Sequence, residues 1–200
     1  MVRVRDNVPL IPVETLMSAY TSGRFPMCHE DGELYWHDPD PRAIFPLDQL
    51  RPNARLLRHI RKAGFRTTVD LDFSGVMRAC AGRPDTWIDD RIIASYAALH
   101  QAGHAHAVET WLGDRLVGGV YGVSIGQAFF GESMFSLVPN AGTAAFFALV
   151  RLLRDRGCLL FDTQYINDHT ARLGATEVPR STFRRMLAKA VQTPAPAWPA

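Results

Sequence analysis

The chain has 200 residues, of which 47% are hydrophobic and 21% are charged, and its 22 basic and 20 acidic side chains nearly cancel. This composition excludes a disordered chain, which would have fewer apolar residues or a larger net charge, and a fibrous chain, which would show a short repeat. Three cysteines, Cys28, Cys80 and Cys158, are too few and too scattered for a disulfide framework. No apolar stretch approaches the roughly 20 residues of a membrane helix. The sequence therefore predicts a soluble, cytoplasmic protein.

The first third of the chain favours a small, loop-rich lobe. Residues 14–20 predict a short helix, and residues 33–46 are rich in proline and aspartate, which favour turns. Apolar residues then recur at helical spacing over residues 52–64, while basic residues fall on another face of the same predicted helix. We therefore expect an N-terminal domain over residues 1–63 that ends in an amphipathic, basic helix.

The basic face of this predicted helix is a candidate binding surface for a polyanion. It extends to the start of the next strand, and its basic residues are Arg51, Arg55, Arg58, Arg61, Lys62 and Arg66. A solvated helix face rich in arginine would have the same composition. The charge pattern alone leaves both interpretations open.

From residue 64 onward, helices alternate with strands around an antiparallel meander. The strands are predicted at residues 66–71, 104–111, 116–123, 127–135 and 158–162, and the helices at residues 73–79, 89–101, 143–156 and 181–191. Asp89 and Gly157 have the residue types that favour a helix start and a helix end. This order predicts an α+β or α/β domain, a mixed sheet flanked by helices, over residues 64–191. Residues 192–200, rich in proline and alanine, predict a mobile tail.

Two strand segments carry polar residues that a purely structural strand would not need. Glu132 interrupts the apolar strand around G-E-S-M-F-S, and Asp162 and Gln164 follow a buried-looking strand. Carboxylates beside apolar residues are costly to desolvate unless they are paired or functional. We therefore predict functional roles for these three residues and helix capping for Asp168 and His169.

Other chemical signatures are missing from the sequence. It contains no phosphate-binding loop, no metal-binding signature and no nucleophile elbow. His104 and His106 alternate on a predicted strand and so face the same side of the sheet, but no third ligand lies near them in sequence. We therefore expect a packed or hydrogen-bonded histidine pair rather than a metal site.

Long, ordered blocks of the sequence resemble the leucyl/phenylalanyl-tRNA-protein transferase family. The blocks are A-Y-T-S-G-R-F-P-M at 19–27, D-P-D-P-R-A-I-F-P-L-D at 38–48, T-W-I at 86–88, G-H-A-H-A-V-E-T-W at 103–111, L-V-G-G-V-Y-G-V at 116–123, G-E-S-M-F-S at 131–136 and the segment 162–175. The resemblance implies an enzyme that moves Leu or Phe, with Met as a further donor, from charged tRNA to proteins beginning with Arg or Lys. This transfer marks the acceptor protein for degradation in the N-degron pathway. It also implies an α+β fold with an acetyltransferase-like, GNAT-type sheet domain behind a small N-terminal domain.

The resemblance also implies roles for individual residues. Asp162 and Gln164 correspond to the catalytic pair, and Glu132 corresponds to an acidic residue of the same pocket. The implied substrate-binding residues are Tyr20, Trp87, Tyr96, Phe129, Met134 and Asn167, and the basic helix faces the tRNA acceptor arm. Core packing is an equal alternative for Phe129 and Met134, because alternate apolar residues on a strand usually face the core.

The expected chemistry needs neither a cofactor nor a metal, because an aminoacyl-tRNA is already an activated ester. We expect Asp162 to take the proton of the attacking α-amine, directly or through a water molecule, since a side-chain amide such as that of Gln164 has no useful basicity. Gln164 would then orient the amine. Glu132 would bind the cationic side chain of an acceptor that begins with Arg or Lys.

Three alternatives remain at this stage. An acyl-CoA-dependent N-acetyltransferase needs a glycine-containing pyrophosphate loop, which the residues before the helix at Thr143 do not provide. A related transferase for acidic N-termini would favour cations where this chain has Glu132 and Asp162. A noncatalytic tRNA-binding protein would keep the basic helix but would not need the carboxylates.

Gly142 and Thr143 replace the serine and lysine usual in the family, which leaves the preference between Leu and Phe open. We expect a monomer, because no exposed apolar stripe is evident.

Overall fold

The computed structural model describes residues 10–83 and 86–199. The strands in these ranges are β1 (Phe25–Cys28), β2 (Leu34–His37), β3 (Arg42–Ile44), β4 (Arg66–Val69), β5 (Ala105–Leu112), β6 (Arg115–Ile125), β7 (Ala128–Ser136), β8 (Leu160–Gln164) and β9 (Thr176–Val178). The helices are α1 (Val13–Thr21), α2 (Ala54–Ala63), α3 (Phe73–Ala81), α4 (Asp90–Gln101), α5 (Ala141–Asp155), α6 (Asp168–Leu173) and α7 (Arg180–Gln192). None of these helices is both long and apolar enough to cross a bilayer.

The main sheet has seven strands in the order β4-β5-β6-β7-β8-β3-β9. All neighbours are antiparallel except β7 and β8, which are parallel. β1 and β2 form a separate two-stranded antiparallel sheet near the N-terminus. The prediction of an α+β fold, with a small N-terminal part and a mixed sheet flanked by helices, is confirmed.

Helices cover both faces of the main sheet. On one face, Phe146, Leu149 and Leu153 of α5 pack against the sheet residues Val120 and Phe161. On the other face, residues of α1, α3, α4 and α7 enclose a second apolar cluster. Burial of these apolar side chains on both faces is the main contribution that stabilises such a layered domain.

Local signals in the sequence explain where several elements begin and end. The Asn53 side chain accepts a hydrogen bond from the Leu56 backbone N–H at the start of α2, and Gly64 ends that helix with a left-handed φ of 70°. Asp89 caps α4 by accepting from the Ile92 backbone N–H, as predicted. Each cap satisfies a backbone group that the helix end would otherwise leave unpaired.

Two segments outside residues 64–191 pack within or against the main sheet. β3 belongs to the segment 1–63, yet it pairs within the main sheet between β8 and β9. The tail beyond α7, which the sequence predicted to be mobile, lies against the sheet through Trp198, whose ring stacks on His106 with centroids 4.1 Å apart. The guanidinium of Arg156 lies over the Trp198 ring, 4.6 Å from its centroid.

The parallel pair β7–β8 is short, and this positions the candidate site. The register covers only Ala128 to Phe130 on β7 against Leu160 to Asp162 on β8. Beyond these residues the two strands diverge, and the residues that follow on each strand line a common cavity. The opening in the sheet therefore lies where the β7–β8 pairing stops, beside Glu132 in the middle of β7 and Gln164 at the end of β8.

Candidate active site

A cavity of about 660 Å³ occupies the opening between β7 and β8. Its apolar lining includes Phe45, Val120, Phe135, Phe146, Phe161 and Leu173. Its polar lining includes Arg83, Glu132, Ser133, Thr163, Gln164, Tyr165, Asn167 and His169. A cavity of this size, apolar with a few polar groups on one side, suits a ligand that combines an apolar side chain with a reactive polar group.

Glu132 is held at the cavity wall by three side chains from distant parts of the sequence. Its Oε1 accepts hydrogen bonds from the Tyr20 hydroxyl at 2.7 Å and from Gln164 Nε2 at 2.8 Å. Its Oε2 accepts a longer bond of 3.3 Å from the Tyr96 hydroxyl. The two tyrosine hydroxyls also bond to each other. Because Oε2 has only one long bond, it keeps capacity to receive a proton from a bound ligand.

Burial places the titration of Glu132 near neutrality. Loss of solvation is the largest cause and raises the pKa of Glu132 to about 8, with the nearby charge of Asp162 also raising it. The hydrogen bonds from Tyr20 and Tyr96 act in the opposite direction but do not cancel the effect of burial. A carboxyl group with this pKa can both accept and release a proton at physiological pH.

The two tyrosines remain hydrogen-bond donors over the physiological range. Both side chains are completely buried. Burial, followed by the negative charge of Glu132, raises the pKa of Tyr20 and of Tyr96 well above the ordinary value. They therefore stay protonated and hold the Glu132 carboxyl in place.

Asp162 lies behind the cavity in a buried ion pair with Arg42. Arg42 Nε donates to Asp162 Oδ1 at 2.9 Å, and Arg42 Nη2 donates to Oδ2 at 2.6 Å. Neither side chain is exposed to solvent. Asp162 is not among the residues that line the cavity. Both of its oxygens are engaged, so the expectation that Asp162 takes a proton directly from the attacking amine does not fit this geometry.

Gln164 connects the ion pair to the cavity. Its backbone N–H donates to Asp162 Oδ1 at 3.0 Å, and its side-chain amide donates to Glu132. The backbone of Gln164 has a φ of 67°, in the left-handed region that non-glycine residues seldom adopt. Such a conformation costs on the order of 1–3 kcal/mol and persists where surrounding contacts impose it. Asp162 therefore contacts the backbone of Gln164, while the Gln164 side chain reaches Glu132.

Arg42 was not identified as a site residue from the sequence. It is fully buried, and its guanidinium also donates to the Gly23 carbonyl and lies over the rings of Phe25 and Phe183. The only local signal is an arginine at the start of the apolar run R-A-I-F. A buried arginine requires a carboxylate partner, and its partner Asp162 lies 120 residues later.

The other predicted substrate-binding residues divide into three groups. Trp87, Met134 and Asn167 line the cavity. Tyr20 and Tyr96 lie behind it as partners of Glu132. Phe129 does not line the cavity. Its side chain is 1% exposed and packs in the apolar cluster beneath α5, so the core-packing alternative holds for this residue.

Asn167 also has a structural role. Its side-chain oxygen accepts hydrogen bonds from the backbone N–H groups of His169 and Thr170 at the start of α6. Asn167 is therefore the cap of α6, and Asp168 occupies the first turn. The capping that the sequence predicted for Asp168 and His169 belongs to the residue before them.

The basic helix α2 contacts the segment that connects β7 to α5. All six of its predicted tRNA-binding residues are exposed: Arg51, Arg55, Arg58, Arg61, Lys62 and Arg66. His59, on the same helix, contacts the Pro139 carbonyl oxygen through Nε2 at 3.1 Å. Pro139 lies two residues after Leu137, which lines the cavity together with Ser136. A polyanion bound on α2 would therefore lie beside the entrance.

A histidine cluster lies apart from the cavity. Asp70, His100 and His106 bring ligand atoms within 4.8 Å of one another. His106 Nδ1 contacts Asp70 Oδ2 at 2.7 Å and His100 Nδ1 contacts the Ala105 carbonyl at 2.7 Å, while Asp70 Oδ1 accepts from the Ala107 backbone. Hydrogen bonds within the protein thus engage the atoms that would bind a cation. His104 takes no part in this cluster.

The groups around the cavity are those that an acyl transfer requires. A carboxyl group with a near-neutral pKa stands beside an apolar cavity, and a basic helix borders the entrance. Such a site can deprotonate an amine and place it against an acyl group carried by a polyanion. The fold and the site therefore indicate an acyltransferase.

Comparison with known proteins identifies the family. Residues 44–188 match the family model "Leucyl/phenylalanyl-tRNA protein transferase", and residues 11–40 match the model of the N-terminal domain of that protein. The chain belongs to the leucyl/phenylalanyl-tRNA–protein transferase family, and it is an aminoacyltransferase. The resemblance seen in the sequence is thus confirmed.

Curated relatives named leucyl/phenylalanyl-tRNA–protein transferase match this chain over most of their length. Leucyl/phenylalanyl-tRNA–protein transferases of Gloeobacter violaceus and Chlorobium limicola are 48% and 46% identical, over 94% of this chain in each case and over 97% and 99% of those proteins. The protein of Ruegeria pomeroyi is 46% identical over 90% of this chain and 87% of its own length. A solved structure of L-PGS from Bacillus licheniformis has a TM-score of 0.42 and 11% identity, covering 80% of this chain and 55% of that chain. The last similarity is too low to support an inference about function.

Proposed function

We propose that this enzyme transfers Leu or Phe from aminoacyl-tRNA to the α-amine of proteins that begin with Arg or Lys, which marks those proteins for degradation. The observation that carries the proposal is Glu132 at the wall of the apolar cavity. Its pKa of about 8 matches that of a protein α-amine, near ~8. The reaction takes place in the cytoplasm, where charged tRNA and new N-termini meet.

Glu132 is the proton acceptor in the proposed mechanism. Its carboxylate takes one proton from the acceptor's α-ammonium group, and the freed nitrogen lone pair attacks the ester carbonyl of the aminoacyl-tRNA. The C–N bond forms, the bond from the carbonyl carbon to the ribose oxygen breaks, and a second proton from the nitrogen ends on that oxygen as a hydroxyl. Glu132 then returns its proton to solvent. This assignment replaces Asp162 by Glu132 as the base.

The remaining groups position the reactants. The Gln164 amide bonds Glu132 through its nitrogen, so its oxygen remains an acceptor for an N–H of the attacking amine. The Arg42–Asp162 pair holds the backbone of Gln164, through the Gln164 N–H, and so supports the position of this side chain. Holding an amine and an ester in attack geometry can lower the barrier by several kcal/mol. Positioning and one proton transfer are therefore sufficient chemistry for an ester that is already activated.

Substrate preference follows from the lining of the cavity. The apolar end, with aromatic side chains on several sides, suits a branched or aromatic donor side chain. Glu132 is the only carboxyl group among the described residues that line the cavity, and the field of its ionised form favours acceptors with a cationic first residue. The same field opposes acidic N-termini, which is the ground for setting that alternative aside.

The donor tRNA is proposed to lie on α2, with its acceptor end entering the cavity. The exposed arginines of the helix and its contact with the cavity rim through His59 and Pro139 support this placement. Contacts of this kind hold phosphates without reading bases.

We also propose that the enzyme acts as a monomer, because a single chain supplies Tyr20, Tyr96, Glu132 and Gln164. Light scattering of the active enzyme tests the monomer.

The decisive experiment measures transfer of radiolabelled Leu and, separately, Phe from charged tRNA to peptides that differ only in their first residue. Arg, Lys, Asp and Ala peptides are compared at equal concentration. Transfer to the Arg and Lys peptides alone is the expected result. Transfer to the Asp peptide would assign the enzyme to acidic N-termini. Binding of tRNA without any transfer would leave the noncatalytic alternative.

A further inference from the structure

Arg83 is a cationic residue of the cavity to which the sequence pattern assigned no role. It follows directly on α3 and lines the same cavity as Glu132. Among the lining residues that the structure describes, it is the only arginine, and no lysine accompanies it. It is exposed to solvent, so the guanidinium does not serve to satisfy a buried charge.

The guanidinium is fixed close to the reactive end of the cavity. Arg83 Nη2 donates to Ser133 Oγ at 2.8 Å, and Nε donates to the Cys80 carbonyl at 3.2 Å. Ser133 is the residue after Glu132 on β7. The charge also reaches across the cavity, since burial, Arg172 and Arg83 together lower the pKa of His169. The Arg83 guanidinium is thus held in a defined direction at Ser133, the residue after Glu132, which we propose takes the proton.

The proposed donor brings one kind of anion to this place. Its ester carbonyl must reach Glu132 and Gln164, and the ester oxygen belongs to the ribose of the terminal nucleotide. The 5′-phosphate of that same nucleotide is therefore only one ribose away from the reacting carbonyl. A guanidinium is well suited to bind it, because its planar array of donors matches the oxygens of a phosphate.

We infer that Arg83 binds the 5′-phosphate of the terminal nucleotide of the aminoacyl-tRNA and so positions the ester in the cavity. The inference rests on the proposed function only in taking charged tRNA as the donor. It separates two kinds of phosphate contact. The arginines of α2 hold phosphates along the acceptor arm, whereas Arg83 holds the single phosphate next to the reacting ester.

A binding experiment tests the inference without relying on transfer activity. The ligands are adenosine and the methyl ester of adenosine 5′-phosphate, which carries the single negative charge of a phosphodiester. Dissociation constants are measured by calorimetry for the wild type, for Arg83→Gln and for the control Arg78→Gln, an exposed arginine of α3 outside the cavity. We expect the wild type and the control to bind the phosphate ester at least tenfold more tightly than adenosine. Arg83→Gln should lose this preference while binding adenosine as the wild type does.

Two results would overturn the inference. One is a wild type that binds both ligands equally, and the other is an Arg83→Gln variant that keeps the preference. Equal weakening of both ligands in Arg83→Gln would indicate a structural role and also contradict the inference. Failure of the transfer assay with preserved phosphate preference would reject the proposed function and leave the phosphate site standing.

Discussion

At the scale of single residues, the chemistry of the site depends on how burial changes one carboxyl group. Glu132 has an ordinary side chain, and its near-neutral pKa arises because two tyrosines and the sheet exclude water from it. Gln164 and Asp162 differ from it in kind, since the first is a hydrogen-bonding amide and the second is neutralised by Arg42. In the mechanism that we propose, Glu132 accepts the proton and the other residues hold it in place.

Replacement of Glu132 by glutamine is expected to lower kcat/KM for transfer to an Arg peptide by about 10²–10⁴-fold, because an amide cannot take the proton of the amine. The measurement is steady-state transfer of Leu and of Phe, with circular dichroism to confirm folding. Thr163→Ser, at the cavity but without a proton role, serves as the control. Retention of more than one tenth of wild-type activity in Glu132→Gln would contradict the assignment.

Replacement of Arg42 by methionine is expected to lower the free energy of unfolding by about 3–5 kcal/mol, because it leaves the charge of Asp162 buried and uncompensated. Urea unfolding measures the change. The matched control is Arg184→Met, which breaks the more exposed pair with Asp38 and is expected to cost less than about 1 kcal/mol. A double variant, Arg42→Met with Asp162→Leu, should recover part of the loss. Equal effects of the two single variants would refute the account of the buried pair.

The sequence predicted Glu132, Asp162 and Gln164 as functional residues, but it could not show which residue pairs with Asp162. A polar residue within an apolar strand or at its end can be recognised from the sequence alone, and so these residues could be predicted. The partner of Asp162 lies 120 residues away and follows no periodic pattern, so the ion pair could not be foreseen. Simple alternation along β7 places Phe129 and Met134 on opposite faces, but the register of β7 against β6 shifts between Gly131 and Ser133, an irregularity that the sequence does not reveal.

At the scale of elements, caps and periodicity account for the long helices and strands. α2, α4 and the meander of β5, β6 and β7 agree with their predicted positions because each has a local signal. The short strands β3 and β9 have three residues each, and only pairing with distant strands makes them strands. Local sequence could not predict them for that reason.

Close contact between elements also explains one departure from the family pattern. A Cβ at Gly142 would lie 2.6 Å from the carbonyl oxygen of Phe135, and a Cβ at Gly118 would lie 2.4 Å from the Ala141 carbonyl carbon. α5 therefore begins in direct contact with β6 and β7. The serine that is usual in the family at position 142 would not fit here without a shift of the helix.

The basic face of α2 predicts a specific salt dependence. The double variant Arg55→Gln/Arg58→Gln is expected to bind charged tRNA more weakly and to reduce the slope of log affinity against log salt by about one to two, since each lost phosphate contact contributes about 0.7–0.9. Fluorescence anisotropy at several salt concentrations measures both quantities. The control Arg185→Gln/Lys189→Gln changes two exposed residues of α7. An unchanged slope in the α2 variant would place the tRNA elsewhere.

At the scale of the whole molecule, distant elements meet in one hydrogen-bonded network around the cavity. α1 supplies Tyr20, α4 supplies Tyr96, and the two diverging strands supply Glu132 and Gln164. The α+β class could be predicted from the order of elements, but the cavity could not. It arises from the point at which the β7–β8 pairing stops, and no local pattern marks that point.

The buried carboxyl group makes the stability of the whole molecule depend on pH. The pKa of Glu132 is about 8 in the folded protein and near 4.3 in an unfolded chain. The folded state therefore keeps a proton that the unfolded state releases. This contribution is fully present below the unfolded pKa and is lost as the pH rises through about 8.

Urea unfolding between pH 5 and pH 9 measures this linkage. The wild type is expected to lose on the order of a few kcal/mol more than Glu132→Gln as the pH rises over this range. The glutamine variant is the matched control because it has the same shape and no titration. Parallel curves for the two proteins would show that Glu132 titrates normally.

The place of β3 between β8 and β9 has a consequence for biosynthesis. Translation produces β3 early, but both of its neighbours belong to the last quarter of the chain. During synthesis, the Arg42 guanidinium and both edges of β3 therefore remain unpaired until β8 and β9 have left the ribosome. Sheet pairings between such distant segments form slowly and late. The Arg42–Asp162 ion pair and the Gln164 side of the cavity therefore form only after residues 160–178 have been synthesised.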